Sequence, residues 1–129
     1  MVLKEKYTIE INLNASPKLI YPRLSTPSGL SEWFADDVNA KGELFTFKWN
    51  SVVQKARMIS SKESKFIRFR WLEDEEDKND YFFEFKIEVQ EMSGNTALIV
   101  TDFAEPSDIE DAKSLWESQV GELKHLLGL

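Results

Sequence analysis

The chain has 129 residues, with 23 acidic against 16 basic side chains and a net charge of −7, a balance that repels nucleic acid and anionic membrane surfaces. It contains no cysteine, which excludes disulfides and thiolate metal sites, and no run approaches the roughly 18 apolar residues of a membrane span. Its first residues lack the basic, apolar and small-residue succession of a signal peptide, so a cytoplasmic location is expected, with neither nucleic-acid binding nor membrane insertion. The length suits a single domain over residues 1–129, and sixteen aromatic residues, four Trp, three Tyr and nine Phe, are ample for one packed core.

Tyr7, Ile9, Ile11 and Leu13 alternate with Thr8, Glu10 and Asn12, the period-two pattern of a strand with one buried face. Ser16 then offers a helix cap and Pro17 a first helical residue, which predicts a short helix over 18–24 that Pro22 kinks or shortens. Thr26-Pro27 repeats the start signal for a second short helix carrying Leu30, Trp33 and Phe34 and ending near Ala35. From Asp37 onward the pattern is a meander of strands separated by turn residues. Val38 to Ala40 is a weak strand, and Phe45, Phe47 and Trp49 mark the buried face of the next. Val53 to Ser60 has mixed faces, and its inward set stays open. Ile67, Phe69 and Trp71 alternate with Arg68 and Arg70, and Tyr81 to Val89 alternates likewise around Phe83, Phe85 and Ile87. The last strand, Thr96 to Phe103, follows the Ser93-Gly94-Asn95 turn. With Asp102 placed outward, Leu98 and Val100 share its face. Together with Phe82 they then form an outer apolar patch, a candidate homodimer surface.

The longest signal is at the end. Ile109, Ala112, Leu115, Trp116, Val120, Leu123, Leu126 and Leu127 fall in one arc of about 140° on a helical wheel, predicting an amphipathic helix over 107–127. Ser107 and Glu110 form a capping-box pair, the acidic first turn and the Lys124-His125 last turn suit the helix dipole, and Gly128 suits the stop. Gln119 interrupts the stripe, near its centre between Leu115, Leu123 and Leu126. Seven strands, two short helices and this long helix predict an α+β domain in which a curved antiparallel sheet receives the helix on its apolar face.

Little here suggests covalent chemistry. The one histidine, His125, lies on the polar side of the helix, with no cysteine to partner it. Asp36-Asp37 is the one carboxylate pair expected near a cavity mouth, and it reads first as a turn and cap. The acidic run from Glu73 to Asp80 reads as a solvated hairpin loop, because it lacks the alternating oxygen ligands and central Gly of an EF-hand. No metal and no cofactor is expected. A pocket is better supported, since binding cavities are mostly apolar with a few placed polar groups. The candidate wall residues are Trp33, Phe47, Trp49, Phe69, Trp71, Phe83, Phe85 and Trp116, with Gln119 as the polar group.

The element order, strand, two short helices, six-strand meander and long C-terminal helix, resembles the helix-grip fold of the START-like (SRPBCC) superfamily. Asn14-Ala15-Ser16-Pro17, then Ser25-Thr26-Pro27 and Leu30-Ser31-Glu32-Trp33-Phe34, resembles the N-terminal signature of the activator of heat-shock protein 90 ATPase homologues, and Trp116 to Leu127 resembles their last helix. The closest likeness is to small single-domain bacterial members. The resemblance implies a cavity between sheet and long helix, used across the superfamily for lipids, sterols, polyketides and plant hormones, sometimes with catalysis. In eukaryotic activators a related domain assists a chaperone, beside an additional N-terminal chaperone-binding domain that is not expected here.

The leading expectation is a non-enzymatic module that holds a small apolar or amphipathic molecule between sheet and helix. One alternative is a protein-interaction or co-chaperone-like domain with a filled core, and another is a cyclase- or hydrolase-like enzyme. An internal void lined by Gln119 favours the first, a filled core with an exposed apolar patch the second, and a buried carboxylate with a raised pKa the third.

Overall fold

Period-two alternation recurs along most of the chain, so the architecture is decided by how the strands pair and which face the helix covers. A computed structural model describes residues 3–129. The strands are β1 (Glu5–Leu13), β2 (Asp37–Lys41), β3 (Leu44–Trp49), β4 (Val52–Lys62), β5 (Phe66–Trp71), β6 (Phe83–Val89) and β7 (Thr96–Ala104). Helices α1 (Pro17–Ser25) and α2 (Pro27–Leu30) follow β1, α3 (Leu72–Glu76) follows β5, and α4 (Ile109–Leu126) ends the fold. The sheet order is β1-β7-β6-β5-β4-β3-β2, antiparallel throughout. Strands β2 to β7 are therefore a plain meander, and β1 closes against the last strand from Glu5↔Ala104 to Leu13↔Thr96. Helix α4 packs on β1 and β7, so the β3–β5 side of the same concave face stands opposite it. This is the helix-grip α+β fold.

The short helices are held by the caps their sequence offers. Ser16 Oγ accepts from the Leu19 N–H at 3.3 Å and Thr26 Oγ1 from the Gly29 N–H at 3.0 Å, with Pro17 and Pro27 in the first turns. Pro22 does not shorten α1, which runs from Pro17 to Ser25. After α2 the chain continues in single turns, with Phe34 N–H donating to Leu30 O at 2.9 Å. Gly29 is where α2 meets α1: a Cβ there would lie 2.2 Å from the carbonyl oxygen of Pro22. Only a residue without a side chain fits.

The structure revises four local expectations. Leu98 and Val100 are fully buried and face the core, with Asp102, because Val100 pairs with Phe85 and Leu98 with Ile87, both inward residues of β6. The outer patch therefore loses two of its three members; the third, Phe82, lies under the Arg68 guanidinium at 4.0 Å and edges Phe103. The Ser107–Glu110 capping box is replaced by a 3-10 turn over Pro106–Asp108, and α4 starts at Ile109 without a side-chain cap. Proline fixes the backbone angle and lacks a donor, which suits it to a tight turn ahead of the helix. Part of the acidic run is the helix α3, where Asp74 is buried and Glu75 pairs with Arg57 at 3.1 Å; the acids in its first turn suit the positive end of the helix dipole. Finally, the buried stripe of α4 is narrower than the apolar one: Trp116, Val120 and Leu123 are buried, whereas Leu115 and Leu126 are exposed. Gln119 lies with these two at the edge of the buried face, because a single curved sheet covers less than the whole apolar arc.

The inward set of β4, open from sequence, is Gln54, Ala56 and Met58, which pair with Phe47, Phe45 and Phe69 of the neighbouring strands. A register shift between Met58 and Ser60 is a β-bulge, and it explains the mixed faces: the extra residue breaks the alternation.

Candidate functional site

The aromatic side chains of β3, β5 and β6 stack into a continuous layer on the concave face. Phe47, Phe69, Phe83 and Phe85 are fully or almost fully buried, and they pack edge-to-face and offset with centroids 5.1 to 6.4 Å apart, the arrangement that ring quadrupoles favour. Phe34, delivered by the turns after α2, lies on this layer against Phe47, Phe83 and Phe85, and stacks on the Trp116 indole at 5.6 Å with an interplanar angle of 8°. Its carbonyl oxygen accepts from the indole N–H of Trp49 at 2.8 Å and from the side-chain amide of Gln119 at 3.3 Å. One residue thus joins sheet, loop and helix.

Above the layer is a cavity of about 400 Å³. Trp49, Gln54 and Trp71 line it from the sheet; Ala112, Leu115, Trp116 and Gln119 from the first half of α4; Tyr7, Asp102 and Phe103 from β1 and β7; and Phe34 from below. The exposed residues of this lining, Gln54 and Leu115, mark its rim. Gln119, Phe34 and Trp49 also border a second, more polar hollow that includes Trp33, Asp36 and Glu122. The hydrogen bonds to the Phe34 carbonyl therefore hold the partition between the two.

Four of the nine residues expected in the wall, Trp49, Trp71, Trp116 and Gln119, line the cavity. Phe47, Phe69, Phe83 and Phe85 form the packed layer beneath it, and Trp33 faces the second hollow, with its indole N–H donating to Arg23 O at 2.8 Å. Asp36 acts as a turn residue that accepts from the Asn50 N–H at 2.7 Å. Sequence reading misses Asp102, Tyr7 and Leu115, as well as Phe34, Gln54, Phe103 and Ala112. The signal for Asp102 was available, since placing Leu98 and Val100 inward brings Asp102 with them.

Asp102 is the one ionisable carboxylate in the lining. Its Oδ2 accepts from Trp116 Nε1 at 3.0 Å and from the Tyr7 hydroxyl at 3.4 Å, and its Oδ1 from the Phe103 N–H at 2.8 Å. Burial pushes its carboxyl above the usual carboxylate range, a shift that these three donors and the charge of Lys4 reduce without cancelling. The Tyr7 hydroxyl is driven well above the ordinary tyrosine range, first by burial and then by the charge of Asp102. Tyr7 is therefore a neutral donor at any physiological pH.

A family model described as a START-like superfamily domain matches residues 1–129. The chain belongs to the START-like superfamily. The solution structure of BfR322 from Bacteroides fragilis is 38% identical, covers 100% of this chain and 94% of its own, and superposes with a TM-score of 0.69. The Aha1 dimer from Colwellia psychrerythraea is 21% identical over 93% of each chain with a TM-score of 0.78, and MLL2253 from Mesorhizobium loti is 17% identical over 96% and 97% with a TM-score of 0.76. These last two share its fold. No curated protein matches the chain. Among the described residues no helix is long and apolar enough to cross a membrane.

Proposed function

We propose that this START-like domain is a binding module that holds a small apolar or amphipathic molecule in the cavity between the sheet and α4. The supporting observation is the cavity itself: about 400 Å³ of space remains above a fully packed aromatic layer. A volume of this size is within the range of sites for small organic ligands, and its lining is aromatic and aliphatic apart from Gln54, Gln119, the Tyr7 hydroxyl and Asp102. Its lining sets it apart from the neighbouring hollow, which Glu32, Asp36 and Glu122 border. Native mass spectrometry of freshly purified protein tests the reading. A retained small molecule supports it, and an empty protein that also fails to take up amphipathic compounds counts against it.

One observation favours a second reading. A carboxyl raised by burial inside a cavity is the feature expected of an acid or base catalyst, and Asp102 has it. Yet its oxygens accept three fixed hydrogen bonds, which suits an anchoring acceptor better than a group that must exchange a proton with substrate. Turnover of a captured compound by the wild type and not by Asp102→Asn would favour catalysis.

A further inference from the structure

Resting on the binding reading above, we propose that the molecule this cavity selects is a small organic cation, a protonated amine on an apolar body, with its ammonium group directed to Asp102. The argument begins with what surrounds that carboxylate. Its three hydrogen-bond donors, the Trp116 indole, the Tyr7 hydroxyl and the Phe103 amide, are all neutral. Among the described residues no lysine, arginine or histidine lines the cavity. The ion pairs among the described residues, Arg23–Glu32, Arg57–Glu75 and Arg68–Glu84, do not include Asp102. Lys4 acts on it only through its charge, and the Lys4 ammonium stands over the Tyr81 ring at 5.4 Å. A carboxylate withdrawn from water is normally paired with a counter-charge, and Asp102 is half-buried. Here, among the described residues, hydrogen bonds hold the carboxylate, and the Lys4 charge that reaches it is not paired with it directly.

The rest of the wall suits the same guest. Trp49 and Trp71 line the same cavity, and aromatic faces attract ammonium groups, tryptophan most strongly. Ala112 and Leu115 line the α4 side, where a hydrocarbon body can lie without stranding a polar group. An anionic ligand would instead meet a like charge and find no cation in the described lining to receive it. The net charge of −7 also draws cations towards the molecule and slows the approach of anions.

Three probes that share a phenylethyl body separate the possibilities: phenethylamine, phenethyl alcohol and hydrocinnamate, titrated calorimetrically into the full chain at neutral pH. The amine is expected to bind at least about tenfold more tightly than the alcohol, the gain of a charge-assisted hydrogen bond over a neutral one, and hydrocinnamate is expected not to bind. Asp102→Asn should bring the amine down to the affinity of the alcohol while leaving the alcohol nearly unchanged. Trp71→Leu gives an independent check should that variant fold poorly, because it removes a ring face without touching Asp102; it should weaken the amine more than the alcohol. Alcohol binding as tight as amine binding in the wild-type protein overturns the cation inference and leaves the cavity reading standing. Absence of binding by all three overturns both.

Discussion

The indole N–H of Trp116 donates to Oδ2 of Asp102 at 3.0 Å, so the middle of α4 is tied to the last strand at the wall of the cavity. The same ring stacks on Phe34 and meets Phe85 edge-on, and it is 7% exposed. Trp116→Ala should therefore cost about 3 to 5 kcal/mol of folding stability, through the lost ring and the space it leaves. Trp116→Phe should cost less, since it keeps ring contacts and forfeits the donor. Urea unfolding checks both, and a Trp116→Ala midpoint close to the wild type would mean the ring contributes no packing.

A pH dependence follows from Asp102. Burial holds its carboxyl above the ordinary carboxylate value of the unfolded chain, so across the interval between the unfolded-state and folded-state values the native protein binds more protons than the unfolded chain. Its contribution to stability therefore falls as pH rises through that interval and is level above it. Asp102→Asn has no such titration. The stability of the wild type relative to Asp102→Asn, measured by urea unfolding from about pH 4 towards neutrality, should decrease and then flatten. A difference that grows with pH would contradict the assignment.

Gly29 carries a prediction of a different kind. A Cβ at this position would lie 2.2 Å from Pro22 O and 2.7 Å from Arg23 Cα, both backbone atoms that cannot rotate aside. Gly29→Ala should destabilise by about 1 to 3 kcal/mol or more, as overpacking does, although alanine is the better helix former. Thermal unfolding of the variant at or above the wild-type midpoint would show that α1 and α2 separate without cost.

For Gln119 the structure supplies a partner, the Phe34 carbonyl. That oxygen keeps the Trp49 indole as a second donor, so Gln119→Leu leaves no acceptor stranded. The substitution should lower stability by no more than about 1 kcal/mol while making the wall between the two hollows apolar. Apolar probes should bind as well or better, and polar-headed ones less well. A large fall in melting temperature would make the amide chiefly a structural tie.

The fold was legible because its signals are local and repeated. Alternation marked β1, β3, β5 and β6 with their buried faces, and Ser16-Pro17 and Thr26-Pro27 are the caps observed. The cavity was only partly legible, for a reason visible in its residues. Trp49 and Trp71 line it while Phe47 and Phe69, two positions earlier on the same faces of β3 and β5, lie in the packed layer. Period two tells which face a side chain takes, and it does not tell whether another residue covers it. Asp102 was hidden by polarity, since a charged residue at the end of an apolar strand reads as outward until the pairing with β6 places Leu98 and Val100 inward. Leu115 was hidden by the opposite prejudice, an apolar residue left exposed at the cavity rim.

The most direct test of a ligand cavity between sheet and helix reads the tryptophan indole N–H resonances of isotopically labelled protein during titration with an amphipathic compound. Trp49, Trp71 and Trp116 line the cavity and Trp33 does not. The account predicts saturable shifts in the indole signals of Trp49, Trp71 and Trp116 and none for Trp33. Saturable binding that moves Trp33 and leaves Trp71 and Trp116 in place would contradict it.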